Sequence, residues 1–465
     1  MSFTISAPVM QAPAADRLEI RDRVVIEVDD RGVITAMEDA ATGQGRSLAG
    51  GSRDHHEAPA GHVLIPGLVD THCHAPQWPQ LGTGLDVPLE DWLFRYTFPL
   101  EARYADLDFA RPVWADLVAG LLAHGTTTAV FYASQDRAAT TALAEAVASG
   151  GQRAWVGRVA MDHPEGTPPY YRDASAEDGI QQSARSISEI RAVDAGRGRV
   201  APVVTPRFTP ACTDELLRGL GALATAENVL VQTHCSESNW AHQYNLERYG
   251  MTDATALDGF GLLRPGTVLA HANHVTDADA DLLVQRGSGI AHCPLSNAYF
   301  SNAVLPVRRL VGKGVRMGLG TDVSGGASPS LLHNAHDAVT VSRMLEDGVD
   351  PTRTAGPDRG VPGARIDTTF AFWLATKGGA DLLGAPIGLL EPGRRFDAIL
   401  VDTASRRGSL RTWPGIDTPE RVFEKLVRLA APADITDVWV DGRRVAGSGP
   451  GEGAGEGAGE GAGPA

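Results

Sequence analysis

The chain has 465 residues of ordinary globular composition, 43% hydrophobic and 21% charged, enough for a large core and more than one domain. A formal net charge of −16 argues against a nucleic-acid partner, which requires a basic face. The four cysteines, Cys73, Cys212, Cys235 and Cys293, include no Cys-x-x-Cys pair. They read as free thiols of a reducing cytoplasm, not as a disulfide framework or a cysteine-type zinc knuckle.

Residues 1–15 show no charged stretch followed by an apolar run, so no signal peptide is expected, and no apolar run is long enough to span a membrane. Within 17–41, the stretches 18–20, 24–28 and 33–37 read as a strand meander turning at Asp29-Asp30-Arg31-Gly32. Eight short strand-like segments follow, at 63–70, 126–132, 154–161, 201–205, 228–233, 267–270, 289–291 and 315–319. Alanine-rich stretches between them, such as 139–148 and 216–226, read as helices. Eight strand-then-helix units predict a closed barrel whose active site lies where the strands end. Segments 397–402 and 435–440 are again strand-like, and Asp441-Gly442 is a hairpin signal.

The expected architecture is α/β: a (β/α)8 TIM barrel over 66–384 and a small β-sandwich domain formed from both termini, 1–65 and 385–446. The Gly/Glu/Ala repeat at 447–465 reads as a disordered tail.

The strongest chemical signal is Pro66-Gly67-Leu68-Val69-Asp70-Thr71-His72-Cys73-His74. Residues two apart in a strand share a face, so His72 and His74 can reach one metal ion. His234, His271 and Asp322 each close a further strand, which brings them to the same mouth, at the ends of strands one, five, six and eight. Histidines and a carboxylate suit a catalytic zinc that keeps one position open for water, and that water ionises near neutral pH. The same donors also suit ferrous iron. His124 precedes a strand and is expected at the opposite end of the barrel. His55, His56 and His62 lie in a Gly/His-rich loop and are expected to face solvent. Neither Gly-x-x-x-x-Gly-Lys nor Gly-x-Ser-x-Gly occurs, which argues against a phosphate cradle and a serine hydrolase.

This pattern resembles the amidohydrolase superfamily over roughly 63–322, with the β segments of 393–445 also fitting. The resemblance implies His72, His74, His234 and Asp322 as metal ligands. Strand four ends Thr205-Pro206-Arg207-Phe208, without the carboxylated lysine of binuclear members, so a mononuclear site is expected. Within the superfamily, His74-Ala75-Pro76-Gln77, Asp91-Trp92-Leu93, Tyr96-Thr97-Phe98-Pro99, Thr205-Pro206-Arg207-Phe208, His234-Cys235-Ser236-Glu237, Ala291-His292-Cys293-Pro294 and Gly318-Leu319-Gly320-Thr321-Asp322 are similar to the guanine deaminases. Two features depart from that pattern: Trp78 stands where eukaryotic members carry tyrosine, and 79–84 is longer and richer in glycine.

The resemblance implies hydrolysis of guanine to xanthine and ammonia, with Glu237, His271 and Asp322 as catalytic residues. Glu237 would protonate N3, Asp322 would ligate the ion and accept the water proton, and His271 would hold the attacking hydroxide. The substrate contacts would be His74, Gln77, Arg207, Phe208, Glu237 and Asp322. A cytoplasmic homodimer with a small purine substrate is implied, with no nucleic-acid or membrane partner. Two other readings stand beside it: an aminohydrolase for 8-oxoguanine, a pterin or a triazine, and a non-catalytic scaffold, which would hold no stoichiometric ion. The cytidine-deaminase-like fold needs His-x-Glu and Pro-Cys-x-x-Cys, and neither is present.

Overall fold

The computed structural model describes residues 2–194, 197–354 and 358–447. Eight parallel strands close a ring: Leu68–His74, Thr126–Tyr132, Arg153–Gly157, Val200–Pro206, Leu230–Cys235, Val268–His271, Gly289–His292 and Arg316–Leu319. The eighth pairs back onto the first through Leu319 and Asp70. With helices between the strands, this is the (β/α)8 barrel that the sequence pattern predicts. Strands one and two are buried at every position. Parallel strands covered on both faces need not alternate apolar and polar residues, which is why these segments read as continuous runs. Polar residues start the helices: Asp136, Thr213 and Thr276 each cap one by accepting an N–H from its first turn.

The segment 63–70 is not one strand. His62–Pro66 pairs antiparallel with Ala398–Asp402 in a second sheet, and Leu68–His74 begins the barrel. The handover has a local cause. Pro66 has no N–H to offer a ladder, and Gly67 donates its own to the Asp397 carbonyl at 2.9 Å. A side chain on Gly67 would meet Thr127 Oγ1 at 2.2 Å.

The second sheet combines both termini. Its path runs Arg443–Gly447, Ile435–Val440, Ala398–Asp402, His62–Pro66, Phe3–Ala14, Arg17–Val28 and Ile34–Asp39, with His55–Glu57 also paired to Phe3–Ala14. It encloses its own core of Ile5, Val9, Val24, Ile26, Leu64, Phe396 and Leu400. The strand Phe3–Ala14 was not expected. Pro8 interrupts it at the register shift between Ala7 and Val9, and proline within a sheet is tolerated at such a bulge. The loop expected around His55 is likewise the strand His55–Glu57, and His55 Nδ1 lies 2.8 Å from Thr4 Oγ1. The tail read at 447–465 lies outside the described residues except for Gly447, which ends the last strand.

Arg153 joins the two units. It opens the third barrel strand, and its buried guanidinium meets Asp397 at 3.1 Å and Asp441 at 2.5 Å. The Arg153→Ala variant leaves buried Asp397 without its cation and Asp441 with Arg395 alone, 3.6 Å away, and is expected to lose about 3–5 kcal/mol of stability, read by chemical denaturation. A loss below about 1 kcal/mol would show that this pair does not hold the units together.

Candidate active site

The predicted site residues meet at the C-terminal end of the barrel strands. His72 and His74 sit on strand one, His234 on strand five, and His271 ends strand six. Asp322 follows strand eight, and its N–H donates to the His72 carbonyl at 2.9 Å. The chain leaves these strands through left-handed backbone at non-glycine residues: Ser236 (φ 44°), His271 (φ 68°), Ala272 (φ 54°) and Asp322 (φ 48°). Such positions cost of order 1–3 kcal/mol each and persist where the surroundings impose them. Here they aim side chains into one mouth.

The donor atoms converge. His72 Nε2 lies 3.0 Å and His74 Nε2 3.6 Å from Asp322 Oδ1. His74 Nε2 lies 2.9 Å from His234 Nε2. His271 Nε2 lies 3.7 Å from Glu237 Oε1 and 3.9 Å from Asp322 Oδ2. The far side of two rings is fixed: His234 Nδ1 faces the Arg207 carbonyl at 2.6 Å, and His271 Nδ1 faces Asn297 Oδ1 at 2.9 Å. Each Nδ1 must therefore donate, which leaves the lone pair of a neutral ring on Nε2.

Burial, reinforced by neighbouring positive groups, holds the His72, His74 and His234 imidazoles well below their ordinary pKa. The rings are neutral, and the buried Nε2 atoms of His72 and His271 have no hydrogen-bond partner among the described residues. Neutral nitrogens with unused lone pairs beside a carboxylate fit a divalent cation. His72, His74 and His234 could hold it together, as could His72, His271 and Asp322. Burial raises the carboxyls of Glu237 and Asp322, and the Asp322 charge raises Glu237 further.

The cluster opens into a side-chain-lined cavity at the barrel mouth. His74, Gln77, Arg207, Phe208, His234, Glu237 and Asp322 line it, and Leu89, Trp92, Leu93 and Phe300 complete the wall. His72 and His271 belong to the donor cluster and are not among its lining residues. His124 lies elsewhere, at the helix end before strand two, with Nδ1 2.8 Å from the Gly120 carbonyl.

Sequence reasoning missed four residues. Glu101 is buried against Arg207 and Gln77, Asn297 orients His271, and Phe300 packs with its ring centroid 5.1 Å from that of Trp92. Asp70 accepts from Thr321 N at 3.0 Å and Thr321 Oγ1 at 2.5 Å, tying strand one to strand eight, and burial pushes its carboxyl up to about 7. Asp70 carried a signal, since it lies in a quoted motif. Glu101, Asn297 and Phe300 lie outside those motifs and carried none.

The sequence profile of the amidohydrolase family matches residues 63–445. A probable guanine deaminase of Schizosaccharomyces pombe is 36% identical over 94% of this chain and 82% of its own. The guanine deaminase of Dictyostelium discoideum is 35% identical over 82% of each chain. Among solved structures, guanine deaminase from C. acetobutylicum, crystallised with guanine in its active site, superposes with a TM-score of 0.83 at 26% identity, covering 96% of this chain and 100% of its own.

Protein purified without chelator is expected to carry about one divalent ion per chain, and His72→Ala to lose it, as read by elemental analysis. Full occupancy in that variant would remove His72 from the ligand set.

Proposed function

The chain belongs to the amidohydrolase family, and from that membership we propose that it hydrolyses guanine to xanthine and ammonia. It is a hydrolase acting on C–N bonds. The carrying observation is a metal-competent histidine cluster that opens into a cavity lined by an amide, a guanidinium and a phenyl group: Gln77, Arg207 and Phe208. Relatives named guanine deaminases at 35–36% identity support the substrate.

In this reading His72, His74, His234 and Asp322 would hold one zinc ion, which would supply a water acidic enough to attack at neutral pH. Asp322 accepts the proton of the attacking water. His271, fixed by Asn297, hydrogen-bonds that water and keeps it in line with C2. Glu237 donates its proton to N3 as the C2–O bond forms. The C2–N bond then breaks: the amino group leaves as ammonia with the proton that Asp322 took up, the C2 hydroxyl becomes the xanthine carbonyl, and its proton returns to Glu237.

The burial that raises the Glu237 carboxyl keeps it in the acid form this step needs. Arg207 donates to O6, Gln77 to the purine edge, and Phe208 stacks on the ring. A cytoplasmic homodimer working in purine catabolism or salvage completes the proposal, on the family likeness alone.

Purified protein of known metal content should deplete guanine absorbance with stoichiometric ammonia, ahead of 8-oxoguanine, a pterin and a triazine. The Glu237→Gln variant should keep its ion and lose roughly 10²–10⁴-fold in rate. If the ion is present and guanine is untouched, the substrate assignment is wrong.

The raised Glu237 carboxyl also sets a sign. It is active when protonated, so kcat/KM should fall as pH rises through its elevated pKa. A rate still climbing throughout the alkaline range would exclude Glu237 as the acid.

A further inference from the structure

Glu101 is 1% exposed and ends the short helix Phe98–Glu101, in the excursion that follows strand one. Its carboxylate receives both arms of Arg207, Nη1 to Oε2 at 2.5 Å and Nη2 to Oε1 at 3.2 Å. Gln77 Nε2 also donates to Oε1, at 2.9 Å. The other end of the Gln77 amide accepts the Ser324 N–H at 3.1 Å. The Phe98 ring centroid lies 4.9 Å from the guanidinium carbon.

Two consequences follow. The first is geometric. A carboxylate paired with a guanidinium only accepts, so the NH2 of Gln77 must face Glu101 and its oxygen must face Ser324. Both side chains reach the cavity with their orientation already settled, and what they still offer is N–H, which suits the acceptor edge of an oxopurine. The second is electrostatic. Arg207 is the one arginine among the lining residues, and Glu101 cancels its charge. A wall so balanced favours a neutral ligand. Without Glu101 the same wall would favour an anion.

On the reading that the substrate is guanine, we propose that Glu101 is a positioning and specificity residue: it presets Arg207 and Gln77 as donors to a neutral oxopurine and prevents the product from being held once xanthine has lost a proton. Xanthine is the more acidic of the two purines, so charge balance at this wall separates product from substrate.

The test uses metal-loaded protein. Glu101→Gln is nearly isosteric and removes the charge. It should keep its ion, raise KM for guanine about tenfold with a smaller change in kcat, and bind xanthine about tenfold more tightly by calorimetry, only above the pH at which xanthine ionises. Glu101→Asp keeps the charge and shortens the reach. It should raise KM and weaken xanthine by a similar factor at both pH values, and it remains informative if Glu101→Gln does not fold. Adding Arg207→Gln to Glu101→Gln should abolish the tightening seen above the pH at which xanthine ionises. An equal change of xanthine affinity at both pH values in Glu101→Gln, or an unchanged KM in Glu101→Asp, would overturn the proposal. A wild-type protein that carries its ion and ignores guanine would overturn the substrate reading instead, while calorimetry would still report whether Glu101 sets the charge preference.

Discussion

Four imidazoles and two carboxyls are buried together at the barrel mouth, away from bulk solvent. Burial pushes the imidazoles toward neutrality and the carboxyls toward protonation. Unpaired nitrogens result, and each buried donor or acceptor without a partner costs about 1–3 kcal/mol. A divalent cation resolves the conflict, because it takes up the lone pairs and favours the ionised carboxylate. The rest of the molecule holds these groups in a geometry that they would not adopt by themselves.

That holding is distributed. Asp70 clamps strand one to the start of the Asp322 turn through Thr321. The Arg207 carbonyl and Asn297 set two of the rings. Asp253, its carboxyl pushed up to about 7 by burial, accepts the Ser236 N–H at 2.8 Å and so fixes the turn between His234 and Glu237. These bonds offset the backbone strain at Ser236, His271 and Asp322. The opposite end of the barrel is tied to the second sheet by Arg153. Chemistry at the strand ends and anchoring at the strand starts is the usual division in this architecture.

The barrel was legible in the sequence because each buried parallel strand is a short apolar run followed by a helix-forming stretch. The donor cluster was legible because its residues close those runs. What escaped had physical reasons. Pro8 broke the pattern of Phe3–Ala14 at a bulge, and an unbroken apolar run across Pro66-Gly67 hid a change of sheet. Glu101 and Asn297 act only through long-range contacts, across 106 residues to Arg207 and 26 to His271, and neither falls on a strand end where a functional residue would be sought. Motif reasoning finds residues placed by local structure, whereas partners that merely orient them follow from the tertiary fold.

Asp322, Glu237 and Glu101 show how far the surroundings decide a carboxyl's work. Asp322 faces imidazole nitrogens at 3.0 and 3.6 Å, where an ion would make it a ligand and a proton acceptor. Among the described residues Glu237 has no guanidinium or ammonium partner within ion-pair distance, and burial together with the Asp322 charge holds its proton on, which makes it a donor. Glu101 pairs with a guanidinium, which makes it a brace. Environments that push like groups apart are what allow acid, base and structural roles to coexist in one cavity. Exchanging any two of these environments would exchange the roles, so the reaction is written less in the three residues than in what the fold sets opposite each of them.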